Sequence, residues 1–136
     1  MAEALRVADV TCDGSPDVVV SGIEGSLMVG GRGGDGSVLG SLVRKGNVPG
    51  SNAATFGDID RDGRLDAVVS NFFGTAQITR DVCRNGFAVQ QRIRTIFASE
   101  TTALVDLTGD GYPELVAVGW FSTGIAVARN LGAVAG

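Results

Sequence analysis

Asp58, Asp60 and Asp62 stand at alternate positions, Gly63 follows, and Asp66 closes a nine-residue stretch. Carboxylates packed this closely repel one another, and a hard cation served by oxygen ligands relieves that repulsion. Loop positions one, three, five and nine would supply the ligands, and the glycine permits the sharp turn that folds them inward. The spacing recurs as Asp9-x-Thr11-x-Asp13-Gly14-x-x-Asp17 and as Asp106-x-Thr108-x-Asp110-Gly111-x-x-Glu114. A lone Asp-Gly pair is ordinarily a solvated turn. Three copies at one spacing point to a repeated cation site, with calcium as the expected ion. Ser15, Arg64 and Tyr112, at position seven, are expected to offer backbone carbonyls. The middle loop has four carboxylates against three in each of the others, where Thr11 and Thr108 offer a neutral hydroxyl, so it should bind most tightly.

An EF-hand shares the opening of this pattern but needs a bidentate Glu at position twelve and a helix on either side. Position twelve is Val20, Val69 or Ala117, each inside an apolar run. The carboxylate stands at position nine instead, and a strand follows it. The pattern excludes an EF-hand.

The elements that must hold these loops are strands. The chain has 136 residues, 21 of them Gly, few aromatics, and no long window with a helical period. That composition predicts one all-β domain with many turns. The loops recur after 49 and then 48 residues, a period typical of β-propeller blades with about four short strands each. Superposed, the copies predict first strands over Ala4–Val10, Ala54–Ile59 and Thr102–Leu107. Second strands follow over Val18–Ser21, Ala67–Asn71 and Leu115–Gly119. Third strands cover Ser26–Val29, Thr75–Thr79 and Gly124–Ala128. A hairpin (Gly33-Gly34-Asp35-Gly36 or Arg84-Asn85-Gly86) then leads to a fourth strand over Val38–Val43 or Phe87–Ile96. The apolar second strands read as covered on both faces, and the polar fourth strand of repeat two, with Arg92 and Arg94 at alternate positions, as an exposed edge.

The expectation is therefore a partial β-propeller of about three four-stranded antiparallel blades. Blade one covers about residues 4–49, blade two 53–98 and blade three 102–136, the last lacking its fourth strand. A closed propeller typically has roughly four to eight blades. Either copies associate to complete the ring, with a two-chain, six-blade form favoured, or the chain is a slice of a longer protein.

Charge supports the loop reading. The three loops hold ten of the fifteen acids and two of the eleven bases, so the net charge of −4 belongs to them. The remaining bases are scattered, with no aromatic-basic cluster, and nucleic acid is not an expected partner. No apolar run approaches a membrane span and the first residues do not form a signal peptide, so no membrane role is expected. The absence of His removes His-dependent zinc sites and Ser-His or Cys-His nucleophile pairs. Cys12 and Cys83 have no metal-type spacing; they could pair in an oxidising compartment, but lying in different repeats they are expected to be unpaired.

The stretch Phe56-Gly57-Asp58-Ile59-Asp60-Arg61-Asp62-Gly63-Arg64-Leu65-Asp66-Ala67-Val68-Val69 resembles the FG-GAP or VCBS-type repeat of integrin alpha-subunit propellers and many secreted proteins. The resemblance spans essentially the whole chain, with Thr11 and Thr108 departing from Asp at position three. It implies calcium in all three loops, an extracellular setting and a non-catalytic binding or adhesion role. Relatives of that type include sugar-binding lectins and parts of polysaccharide-degrading enzymes. For a glycan or protein ligand, the turn after the second strand is the expected contact: Asn71, Phe72 and Phe73 in repeat two, Trp120 and Phe121 in repeat three. One aromatic of each pair is expected to pack between blades. An enzyme with paired carboxylates is the lesser alternative, because the acids outside the loops (Glu3, Glu24, Asp35, Asp81 and Glu100) form no evident pair. A piece whose role is to self-associate is the other.

Overall fold

In each repeat an acidic loop joins the first two strands of an antiparallel sheet, and the same register runs away from it. Ala8 faces Asp17, Gly57 faces Asp66 and Val105 faces Glu114. This arrangement is seen in a computed structural model that describes residues 2–22, 26–30, 43–47, 51–86, 88, 90–95, 99–119 and 124–130. The first sheet is a meander of β1 (Ala2–Ala8), β2 (Asp17–Gly22), β3 (Ser26–Gly30) and β4 (Val43–Asn47). The second contains β5 (Ser51–Gly57), β6 (Asp66–Asn71), β7 (Thr75–Thr79) and β8 (Gln91–Arg94), with a one-turn helix α1 (Val82–Asn85) between β7 and β8. The third contains β9 (Ser99–Val105), β10 (Glu114–Gly119) and β11 (Ile125–Ala128).

The protein is all-β and antiparallel, as expected. Far from the acidic loop, the ladder of each first pair slips by one residue, beside Glu3, Asn52 and Glu100. These positions are one repeat apart. A bulge of this kind bends a strand and increases its local twist.

Several boundaries differ from the sequence reading. The first strands stop two residues early, before Asp9, Asp58 and Asp106, because those carboxylates turn back to accept backbone N–H groups. Arg84-Asn85-Gly86 is not a hairpin: Val82–Asn85 is helical and Gly86, at φ 62°, ends the turn. The fourth strand of repeat two accordingly shrinks from Phe87–Ile96 to Gln91–Arg94, while Arg92 and Arg94 do lie exposed on it. In repeat one a strand covers Val43–Asn47; residues 38–42 of the expected Val38–Val43 lie outside the described residues. The Gly33–Gly36 hairpin and the last residues, 131–136, lie outside the described residues.

The second sheet lies between the other two. β5 runs against β1 and β2, and β9 against β5 and β6. One face of the second sheet gives Ala54, Ala67 and Val69 to a cluster with Val10 and Val19 of the first repeat, closed by Val82 of α1. The opposite face gives Ile59, Val68, Ala76 and Ile78 to a cluster with Leu115 of the third sheet. Every residue of β6 is buried, as a strand covered on both faces requires. β2 and β10 are covered on one face only, and their outward residues stay partly exposed.

Candidate metal centre

Each acidic loop is first a backbone device. The position-one carboxylate folds inward and accepts two loop N–H groups. Asp58 takes those of Asp62 and Gly63 at 3.0 and 2.8 Å, and Asp9 takes those of Asp13 and Gly14 at 3.2 and 2.9 Å. Asp106 takes those of Gly109 and Gly111, both at 2.8 Å. The glycine at position six makes this possible: Gly14, Gly63 and Gly111 have φ of 85°, 83° and 89°, which side-chain-bearing residues rarely adopt. At position five, Asp13, Asp62 and Asp110 accept the N–H of Ser15, Arg64 and Tyr112 at 2.8–2.9 Å, which fixes the position-seven residues.

Position nine anchors the loop to the sheet. Asp17, Asp66 and Glu114 begin β2, β6 and β10 and are almost wholly buried. One oxygen of each accepts the N–H at position two: Val10 at 2.9 Å, Ile59 at 2.8 Å and Leu107 at 2.7 Å. The second oxygen differs among the loops. Asp66 Oδ1 accepts the N–H of Asp81 at 2.8 Å, whereas Asp17 Oδ1 and Glu114 Oε1 are buried with no hydrogen-bond partner. A buried carboxylate oxygen without a donor is costly, and a cation at that oxygen removes the cost.

In the middle loop Asp58, Asp60, Asp62 and Asp66 each bring an oxygen into one group, no two of these atoms more than 4.8 Å apart. Oxygens on opposite sides of a calcium ion, at about 2.3–2.6 Å from it, are separated by roughly 4.6–5.2 Å, a span that accommodates this group. Asp58, Asp60, Asp62 and Asp66 thus form a group that could hold a metal ion. In the flanking loops the hydroxyls at position three are already engaged, Thr11 donating to Asp17 Oδ2 at 3.0 Å and Thr108 bonding to Asp110. Among the described residues the four-carboxylate grouping occurs in the middle loop.

Electrostatics separate the middle loop's acids. Burial pushes the Asp66 carboxyl above its usual 3.8, and the charges of Asp60 and Asp62 push the same way, against the N–H groups of Asp81 and Ile59. Asp60 is held below that value: its slight burial acts upward, but the Arg80 guanidinium, 3.0 Å away, and bonds from Asp62 outweigh it. At the other end of the loop Arg64 pairs with Asp81 at 3.1 Å.

Position four reaches sideways, which the sequence reading did not foresee. Cys12, Arg61 and Gly109 all have left-handed backbones, with φ of 59°, 60° and 77°. From the first loop Cys12 forms a disulfide with Cys83 of α1, their Cα atoms 5.7 Å apart. This corrects the expectation that the two cysteines are unpaired. From the second loop Arg61 lies over the Tyr112 ring at 5.4 Å from its centroid, so close to Gly111 that a Cβ there would meet the guanidinium at 2.6 Å. The signal was legible in the repeat alignment, since Cys12 and Arg61 occupy the same position, but its direction depends on a backbone conformation that residue types do not display.

The aromatic turn differs in part from expectation. Phe72 is 37% exposed and Phe73 68%, so neither is packed between sheets; their rings meet edge to face, centroids 6.1 Å apart. The Asn71 side chain closes its own turn instead, accepting the N–H of Phe73 and Thr75 and donating to Thr75 Oγ1 at 2.6 Å. Trp120 and Phe121 lie outside the described residues. A separate apolar cleft of about 270 Å³ opens between the second and third sheets, over Ile78, Ile93, Leu104 and Leu115, with Arg80 and Arg129 beside it.

No family model matches the chain, and neither does a curated protein or a solved structure. Among the described residues no helix is long and apolar enough to cross a membrane.

Proposed function

We propose that this chain is a calcium-binding repeat module of β-propeller type that serves outside the cell as a non-catalytic binding or adhesion domain. The observation that supports this most is the middle loop, where four carboxylates each bring an oxygen within 4.8 Å of the others. The buried, partnerless oxygens of Asp17 and Glu114 extend it to the flanking loops. Bound there, calcium would neutralise charge and cross-link each loop, while Asp58, Asp62 and Asp66 hold the loop backbone through their own hydrogen bonds. The disulfide favours an oxidising compartment. For the ligand, the exposed Phe72–Phe73 pair offers apolar faces of the kind that stack on a sugar ring.

Calorimetric titration with calcium tests the metal. The tightest event is expected to belong to the middle loop and to disappear in Asp62→Ala; its persistence there would overturn the assignment. Calcium at about 100 times the dissociation constant should stabilise the fold by about 2.7 kcal/mol through that site alone. A melting temperature indifferent to chelation, after the metal is shown to be stripped, would reduce the loops to solvated turns. A glycan array probed in calcium and in chelator, with Phe73→Ala as control, tests the ligand.

A further inference from the structure

The first and third sheets each turn one face to the second sheet and one face away. On the first, the outward face carries Leu5 and Val7 of β1, paired across the ladder with Val20 and Val18. On the third, it carries Val116 and Val118 of β10, paired with Val127 and Ile125 of β11. Leu5, Val7 and Ile125 are 57%, 61% and 65% exposed. Rows of apolar side chains on neighbouring strands differ from the single exposed residues common on any surface, and such patches mark contact sites.

The repeat itself says what covers such a face. Moved forward by the 49-residue period, Leu5, Val7, Val18 and Val20 become Ala54, Phe56, Ala67 and Val69. Those are the residues with which the second sheet packs against the first repeat. The ladder gives the match at the other end: Val68 pairs with Ile78 as Val116 pairs with Val127. Val68, Ile78 and Ile59 pack against the third sheet, and Val116, Val127 and Leu107 are their counterparts. The two outward faces are therefore the two halves of one interface, made twice within the chain, with their residues Leu5, Val7, Ile125 and Val127 exposed.

We infer that the outward face of the third sheet docks on the outward face of the first sheet of a second copy, head to tail, and that two copies close a ring of six sheets. A head-to-tail contact either closes into a ring or runs on as a filament. Radial rings close at roughly four to eight sheets, and with three sheets among the described residues two copies are the count that falls in this range. The joint between copies differs from the internal ones at position four. Cys12 and Arg61 each reach the following repeat, but Gly109 has no side chain to do so. No position-four cross-link holds this joint, so the ring opens on dilution. None of these face residues is a candidate metal ligand.

Sedimentation velocity over a micromolar series, in calcium and after chelation, tests the inference separately from the metal. The expected particle has twice the chain mass of 13.9 kDa. Val7→Glu on one face and Ile125→Glu on the other are each expected to yield folded monomers, with circular dichroism confirming the fold. Leu5→Glu and Val127→Glu stand in if either misfolds. An equimolar mixture of the two variants retains one intact joint per pair and should regain association at roughly a hundred times, or more, the concentration at which the unsubstituted protein dimerises. A wild-type chain monomeric throughout, a dimer that survives either substitution, or a mixture no more associated than its parts would overturn head-to-tail closure.

Discussion

Opening the Cys12–Cys83 bridge is expected to cost the fold about 4 kcal/mol. The bridge spans 71 residues, and closing a loop of that length removes about 4.4 kcal/mol of chain entropy from the denatured state on the entropic account. Few single changes to a domain of this size weigh as much, since its whole stability is on the order of 5–15 kcal/mol. The measurement is urea unfolding of the wild type with and without reductant, beside the double variant Cys12→Ser, Cys83→Ser. The wild type should lose its stability increment in reductant, corresponding to a melting point roughly 15 °C lower, and the double variant should ignore reductant altogether. A difference below about 1 kcal/mol would show that the first loop and α1 stay together in the denatured chain without the bond.

Asp66→Ala is expected to be the most damaging single change in the middle loop, costing roughly 3 kcal/mol even without calcium. The carboxylate accepts the N–H of Ile59 and of Asp81, one bond to the loop and one to the entrance of α1. Hydrogen bonds to a charged acceptor contribute about 1.5–3 kcal/mol each, and relief of a buried charge returns part of that loss. Asp62→Ala, exposed and tied only to nearby loop atoms, should cost less than about 1 kcal/mol in chelator while abolishing the tight calcium event. The comparison separates an anchor from a ligand. It also carries a pH signature. Because burial raises the folded-state value of Asp66 above 3.8, its contribution is full below that unfolded value and declines as pH rises through the raised one. The gap in stability between wild type and Asp66→Ala should therefore widen on acidification in calcium-free buffer. A gap that narrowed instead would mean that the ionised form is the one the fold prefers.

Much of this was legible in the chain because the repeat encodes it. β7 occupies the predicted span Thr75–Thr79, and the second strands fall within a residue or so of theirs, since apolar runs between carboxylates and turns leave little freedom. The middle cluster was legible for the same reason: its spacing is its geometry. What was missed lies between repeats. Cys12 and Cys83 are distant in sequence, and only the left-handed backbone at position four brings them to 5.7 Å. Helix α1 was missed because Val82–Asn85 is too short to show a period; it is fixed by the N–H of Val82 on the Leu65 carbonyl and by Asp81 on Asp66. The fourth strand of repeat two was overdrawn because that turn consumes residues a hairpin would not.

The bridge also determines how the molecule yields to a pull. Under tension applied through the two ends, the chain between Cys12 and Cys83 cannot lengthen, because force passes through the sulfur atoms instead. With a separation of 71 residues, about 230–250 Å of contour is withheld from extension until the bond is reduced. β2 to β7 lie inside that shielded stretch, while β1, β8, β9, β10 and β11 lie outside it. The strands outside the bridge, those of the third sheet among them, are thus free to lengthen, while the middle loop with its four carboxylates lies within the stretch that cannot. For a domain under tension, reductant then becomes a control on length: the oxidised chain yields only the residues outside the bridge, and only a reduced chain goes on to give up the rest.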